Sequence, residues 1–198
     1  MLIVISGPSG SGKGTVIKKL CEDANYELSV SMTTRLPRPN ETEGREYFFR
    51  TEAEFFEIRD NGALLEYARY NGNYYGTPRE YVEKQMALGV TVILEIEVDG
   101  ALQVMEKFAG CVTIFIAPPD KHELEQRLRL RKTQTDASII ERLEIADREI
   151  SFADRYGYIV VNDIVEKAAA SIKSIVAAER LRTFRNLDIL SNLKSGGK

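Results

Sequence analysis

Leu2-Ile3-Val4-Ile5-Ser6 runs directly into Gly7-Pro8-Ser9-Gly10-Ser11-Gly12-Lys13-Gly14-Thr15, and the fold follows from how those two pieces join. An uninterrupted apolar run of this length predicts a buried parallel strand. The glycines after it let successive backbone N–H groups point inward with no Cβ in the way, and Lys13 adds a mobile positive charge. Val16, Ile17 and Leu20 then recur at helical spacing, which predicts a helix from about residue 13 to 22. Strand, glycine-rich turn and helix in that order wrap a polyphosphate, so an ATP- or GTP-dependent activity is the first expectation. The hydroxyl that usually follows the lysine and helps to hold Mg²⁺ is absent. Gly14 stands there and Thr15 is the nearest replacement, so the ion would rest more on water and phosphate ligands.

Downstream of the loop, Val90–Leu94, Cys111–Ile116 and Tyr158–Val161 repeat the apolar-strand pattern, separated by stretches of helical period. Helices are expected near 78–89, 100–108, 120–130, 137–152 and 164–181. Strands alternating with helices of this length specify an α/β fold with a parallel sheet. Residues 31–77 lack that rhythm. Their arginines, prolines and aromatics predict loop and short antiparallel strands, then a short helix opened by a Thr51/Glu54 capping box. A hairpin turning at Asn71-Gly72 follows. The expected organisation is a core of residues 1–30, 78–126 and 143–198, an inserted lobe at 31–77 and a small lid at 127–142. Two mobile pieces beside a phosphate loop suit phosphoryl transfer, because water must be excluded while the donor reacts.

The chain has 198 residues and a formal net charge of −3, which leaves no cationic surplus for nonspecific nucleic-acid binding. One histidine and two cysteines, Cys21 and Cys111, rule out a histidine–metal cluster and offer no metal spacing. No apolar run nears the ~20 residues that span a bilayer, no cationic leader precedes the first strand, and a cytoplasmic protein with no obligate protein partner is expected.

Several side chains stand out chemically. Arg35, Arg38 and Tyr47 suit an acceptor phosphate, since the guanidinium fork matches phosphate oxygens and a phenol adds a donor. Surface salt bridging is the other reading. Glu66 sits in an apolar strand, where a carboxylate would pair with an arginine or accept from a ring N–H and an exocyclic amine. Guanine offers that donor pair on one edge and adenine does not. Tyr75 and Thr77 follow on the hairpin. Glu95 and Glu97 close the strand at 90–94, where ligands of open sheets bind. Arg127, Arg131 and Arg142 flank the break in helical pattern, placed to compensate charge on a transferring phosphoryl group. Asn162 ends the last strand.

These segments together resemble guanylate kinase, the nucleoside-monophosphate kinase family acting on GMP. Ser31-Met32-Thr33-Thr34-Arg35-Leu36-Pro37-Arg38 looks like its S-x-T-T-R-x-P-R segment, and Gly44–Phe49 like its G-x-x-Y-x-F strand. Asn73–Thr77, Ile116–Pro119 and Ile159–Asp163 complete the likeness, which covers nearly the whole chain. The resemblance implies ATP as donor, Mg²⁺, GMP (and dGMP) as acceptor, and a P-loop kinase core with a GMP-binding lobe and a lid. By resemblance Arg35, Arg38, Tyr47 and Tyr75 would hold the GMP phosphate, while Ser31, Glu66 and Thr77 would read guanine. Lys13, Arg127, Arg131 and Arg142 would serve the donor phosphates and the transfer. Asn162 would lie near the adenine, and Glu95 near the acceptor and the metal's water shell. This sequence departs from the family pattern at Gly14, at Glu95 (often aspartate), at Asp99 (often glutamine), and at Lys132 and Gln134 in the lid. Two rivals remain: a noncatalytic guanylate-kinase-like domain that binds protein, and a related kinase for another acceptor such as a ribose bisphosphate.

Overall fold

Strand β1 (Leu2–Ser6) is buried along its whole length in this structure, a computed structural model that describes residues 1–130 and 136–194. Because successive side chains of a strand point to opposite faces, β1 feeds two cores. Ile3 and Ile5 pack with Val16, Ile17 and Leu20 of helix α1 (Lys13–Leu20) and with Ile172 and Val176 of α7 (Val165–Arg180). Leu2 and Val4 face the other side, against Val82 of α3 (Arg79–Ala87) and Val98, Ala101 and Val104 of α4 (Val98–Lys107). With β2 (Tyr26–Leu28), β7 (Thr91–Glu95), β8 (Val112–Ala117) and β9 (Tyr158–Val161), β1 forms a five-stranded sheet in the order β2-β7-β1-β8-β9. Every pairing in it is parallel, so all carboxyl ends open on one rim. The glycine loop, Glu95 and Asn162 lie there.

A second sheet holds β3 (Ser31–Thr33), β4 (Tyr47–Phe49), β5 (Leu64–Tyr70) and β6 (Asn73–Pro78), in the order β4-β3-β6-β5. The hairpin β5–β6 is antiparallel, and its turn carries the left-handed pair Asn71 (φ 46°) and Gly72 (φ 81°), the backbone of a type I′ turn. The expectation of antiparallel strands within 31–50 is corrected: β3 and β4 pair in parallel, Ser31 opposite Tyr47. Their long connection permits that, and it brings Tyr47 beside the carboxyl end of the main sheet. The capping box forms as expected, Thr51 and Glu54 closing reciprocal hydrogen bonds at the start of α2 (Glu52–Asp60). Phe55 of α2 is fully buried with Met32 and Leu64.

Helix α4 begins at Val98 with Glu97 in the cap position, two residues earlier than its glycine suggests. Helices α5 (Lys121–Arg129) and α6 (Asp136–Ile150) pack through Leu124, Leu128 and Ala146. Beyond α7 the chain turns at Thr183–Arg185 and ends in α8 (Leu187–Lys194). Arg180 donates to Thr91 Oγ1 at 2.8 Å, and Arg185 to the Gly110 carbonyl at 2.5 Å, strapping this extension to the amino-end rim of the main sheet. Cys21 and Cys111 are free and half-buried. Among the described residues no helix is long and apolar enough to cross a membrane.

Candidate active site

Helix α1 starts inside the glycine loop, so the N–H groups of Lys13 and Gly14 have no preceding helical carbonyl, and both residues line the cavity above β1. That cavity, ≈ 640 Å³, is lined by Gly7, Ser9, Gly10, Gly12, Lys13, Gly14 and Thr15, and also by Tyr47, Glu95, Ile96, Glu97 and Glu149. Lys13 Nζ donates to the Gly7 carbonyl and, at 3.2 Å, to that of Pro8. Pro8 and Ser11 do not line the cavity. Ser11 is fully buried, and its carbonyl accepts from Asn162 Nδ2 at 2.8 Å. Asn162 is itself 3% exposed, so the structure places it behind the loop as a brace. The left-handed Gly12 (φ +86°) is required at this point, because a Cβ there would sit 2.3 Å from Asn162 Nδ2.

Two arginines reach the loop from the helices that follow β8. Arg127 is held by Glu123 at 2.8 Å and comes within 3.5 Å of the Ser11 carbonyl. Arg142 Nη1 donates to Ser9 Oγ at 3.3 Å. Arg131, Lys132 and Gln134 lie outside the described residues. Glu149, two helical turns beyond Arg142, escaped the sequence reading. Burial pushes its carboxyl upward, and nearby Lys13 pulls it partly back. Only knowledge of how α6 docks on the loop would have singled it out.

A second cavity of ≈ 660 Å³ opens in the other sheet, and Ser31, Arg35, Arg38, Tyr47, Glu66, Tyr75, Glu95 and Glu97 are among its lining. The Arg35 guanidinium lies 5.5 Å from the Tyr47 ring centroid, and Tyr75 meets Tyr47 edge-on. Arg35 Nη2 donates to both carboxylate oxygens of Glu41, at 2.8 and 2.9 Å, while Nη1 donates to the Leu36 carbonyl at 2.8 Å. The Arg38 backbone N–H, followed by Arg35, holds the Glu41 carboxyl below its ordinary value. Glu41 too went unread in the sequence. Arg38 remains largely exposed at the rim.

Glu66, singled out in the sequence as a carboxylate within an apolar strand, is buried. The β5–β6 register shifts between Leu64 and Tyr67; Leu64 packs with Phe55 on one face and Leu65 with Val98 and Ala101 on the other, so Leu64, Leu65 and Glu66 are all buried. A bulge of this kind re-aims a side chain, and here the carboxylate faces Gly100 of α4 at 5% exposure. Burial raises the Glu66 carboxyl above the usual range, partly offset by the Thr77 hydroxyl and by Lys107. Thr77 is fully buried and donates to Glu66 Oε1 at 2.6 Å. It does not line the larger cavity and touches it only through the carboxylate.

Tyr47, Glu95, Ile96 and Glu97 line both cavities. A glycine nest at the end of the first strand of a parallel sheet, sharing a wall with a basic and aromatic pocket, defines the P-loop phosphotransferase class. Within it, the sequence model of the Guanylate kinase family matches residues 1–179. The guanylate kinase of Lactococcus lactis is 52% identical over 189 residues, 95% of this chain and 92% of that protein. That of Streptococcus thermophilus is 49% identical over 197 residues, 98% of this chain and 94% of the relative. The crystal structure of guanylate kinase from Anaplasma phagocytophilum superposes with a TM-score of 0.77 at 36% identity, covering 99% of this chain and 94% of its own. The chain belongs to the guanylate kinase family.

Proposed function

We propose that this protein transfers the γ-phosphoryl group of ATP to GMP, and to dGMP, giving ADP and GDP or dGDP. The observation that carries the reading is the shared wall of Tyr47, Glu95, Ile96 and Glu97 between the glycine-loop cavity and the cavity of Arg35, Glu66 and Tyr75. An oxygen of the acceptor phosphate attacks the γ-phosphorus in line, the bond from that phosphorus to the β–γ bridging oxygen breaks, and ADP leaves with its electron pair. The attacking oxygen is already anionic, so no strong base is needed and catalysis rests on positioning and charge compensation.

In this scheme Arg35, Arg38, Tyr47 and Tyr75 bind the acceptor phosphate. Glu66, oriented by Thr77 and flanked by Ser31, accepts from the guanine N1–H and 2-amino group. The loop N–H groups and Lys13 hold the donor phosphates, with Arg127, Arg142 and, by family resemblance, Arg131 taking charge that develops in transfer. Asn162 keeps the loop in shape from behind, beside the adenine place that the resemblance gives it. Among the described residues no group of three or more histidine, cysteine or acidic side chains could cage a metal. The oxygen groups of Thr15, Glu95 and Glu97 instead fit Mg²⁺ that arrives with the nucleotide and keeps its waters. When bound, the ion would neutralise phosphate charge.

A coupled ADP-release assay across GMP, dGMP, IMP, AMP, UMP and a ribose bisphosphate tests the proposal. Turnover with GMP and dGMP well above the others is expected. No turnover with any nucleotide would support a protein-binding domain instead, and turnover with the ribose bisphosphate alone would move the chain to another kinase. The intact loop with Lys13, and a carboxylate buried at the acceptor cavity, oppose both.

A further inference from the structure

The guanine-reading carboxylate of the proposed reaction depends on a gap in helix α4. Glu66 Oε1 is tied to Thr77, and Oε2 projects toward Gly100, the third residue of α4. A Cβ built on Gly100 would lie 3.0 Å from Oε2, 3.5 Å from Cδ and 3.6 Å from Cγ of Glu66. Its three nearest neighbours would thus all belong to one side chain. The backbone of Gly100 is ordinary helix, with none of the positive φ that demands glycine at Gly12. Alanine is intrinsically preferred to glycine inside a helix by about 1 kcal/mol. The helix therefore gains nothing from glycine here, and the carboxylate gains room.

The strand cannot back away to make that room. Gln103, one turn further along α4, donates from Nε2 to the Tyr67 carbonyl at 3.0 Å and accepts from the Tyr67 N–H at 3.2 Å. This pair of hydrogen bonds from side chain to backbone pins β5 immediately after the bulge that carries Glu66. A methyl on α4 would move the carboxylate, not the strand.

We propose that Gly100 is a specificity-determining position: its missing side chain fixes where the Glu66 carboxylate stands, and so sets the preference for guanine over purines lacking the 2-amino group. The inference rests on the assignment of Glu66 to guanine in the proposed function. Gly100 touches no substrate and acts as a positioning residue through Glu66.

The test compares Gly100→Ala with the unaltered chain, using GMP and IMP as acceptors and ATP as donor. IMP keeps the ring N–H but has no 2-amino group, so the ratio of kcat/KM for GMP and IMP reads the second hydrogen bond. A carboxylate displaced by a few tenths of an ångström should lower that ratio about tenfold, within the worth of one charge-assisted hydrogen bond, while KM for ATP stays within about twofold. Thermal stability should be level or higher, which a merely structural role for glycine would not give. The double variant Gly100→Ala/Glu66→Asp shortens the acid by one methylene and should recover part of the ratio. An unchanged GMP:IMP ratio in Gly100→Ala overturns the inference, and so does failure of both the single and double variants to fold. A single variant that fails to fold while the double folds overturns it too, since the methyl then costs the fold and not the guanine preference. Absence of GMP phosphorylation in the unaltered protein would instead sink the proposed function, so the two failures are distinguishable.

Discussion

Thr77→Val removes a hydroxyl from a fully buried position while keeping the shape of the side chain. The bond lost is an O–H donated to a carboxylate at 2.6 Å, within the short range of charge-assisted pairs. With Glu66 at 5% exposure, water cannot replace that donor freely, and leaving a buried charged acceptor unpaired costs about 1.5–3 kcal/mol. That penalty falls on the ionised form, so it adds to the rise that burial has already given this carboxyl. Only the ionised form accepts from guanine, so the acid limb of kcat/KM for GMP should move upward in pH. Titration of the GMP phosphate is common to both proteins and drops out of the comparison. The sign for folding is opposite to that for activity. A carboxyl raised in the folded state contributes stability that is complete below its unfolded value and is lost as pH rises through its folded value. The variant should thus be less stable than the parent at pH 8, with the deficit shrinking toward pH 5 as Glu66 protonates. Steady-state profiles with GMP varied at saturating ATP, and urea unfolding at both pH values, measure the two effects. An acid limb that stays in place, or a deficit equal at both pH values, would refute the claim that the hydroxyl serves the ionised carboxylate.

Three other perturbations follow from the geometry. Lys13→Met should abolish turnover and leave GMP binding by calorimetry within about twofold, since Lys13 lines only the glycine-loop cavity of the two; full activity in that variant would exclude it from the transfer. Gly12→Ala forces a left-handed residue to carry a Cβ, at about 1–2 kcal/mol, and drives that Cβ against Asn162. KM for ATP should rise more than about tenfold at little change in KM for GMP, and equal changes in both would contradict the role of Asn162 as a brace of the loop. Phe55→Ala empties the centre of the Met32–Phe55–Leu64 cluster at about 3–5 kcal/mol. GMP binding should be lost while ATP still binds by fluorescence titration, and joint loss of both would show that the second sheet does not yield independently.

Features written in consecutive residues are legible in the sequence alone. The loop at Gly7–Thr15, the turn at Asn71-Gly72 and the Thr51/Glu54 box each specify their own backbone locally. The apolar run of β1 is readable as a buried strand for the same reason. What depends on distant partners is not. The parallel pairing of β3 with β4 is fixed by a connection that carries no local sign of direction, and the register shift between Leu64 and Tyr67 depends on the partner strand β6. Gly100 looks like a helix start because glycine disfavours helix interiors, and only the carboxylate opposite explains it. Glu41 and Glu149 are acids among many acids until α6 and the 31–50 segment are folded against their partners. The place of Asn162 behind the loop, rather than open to a base, depends on the Ser11 carbonyl across 151 positions of chain.

The way Arg35 is held bears on why transfer should require both nucleotides. Its Nη2 already donates to the Glu41 carboxylate, so on the proposed reading GMP arrives by exchanging one anionic acceptor at that nitrogen for a phosphate rather than by recruiting a loose arginine. An exchange of like-charged partners needs little reorganisation, because the guanidinium keeps its orientation against Tyr47 throughout. Tyr47 is also one of the side chains common to both cavities. The acceptor phosphate, Arg35, Tyr47 and the space above the glycine loop therefore form one contact chain, with Glu95 and Glu97 as its acidic floor. On this reading the nucleophile brings its own negative charge, as a phosphate oxygen does and a water molecule does not. Donor hydrolysis without acceptor then has only neutral, unpositioned water as nucleophile and nothing to fill the common wall, and transfer to GMP is favoured by the architecture of the site itself.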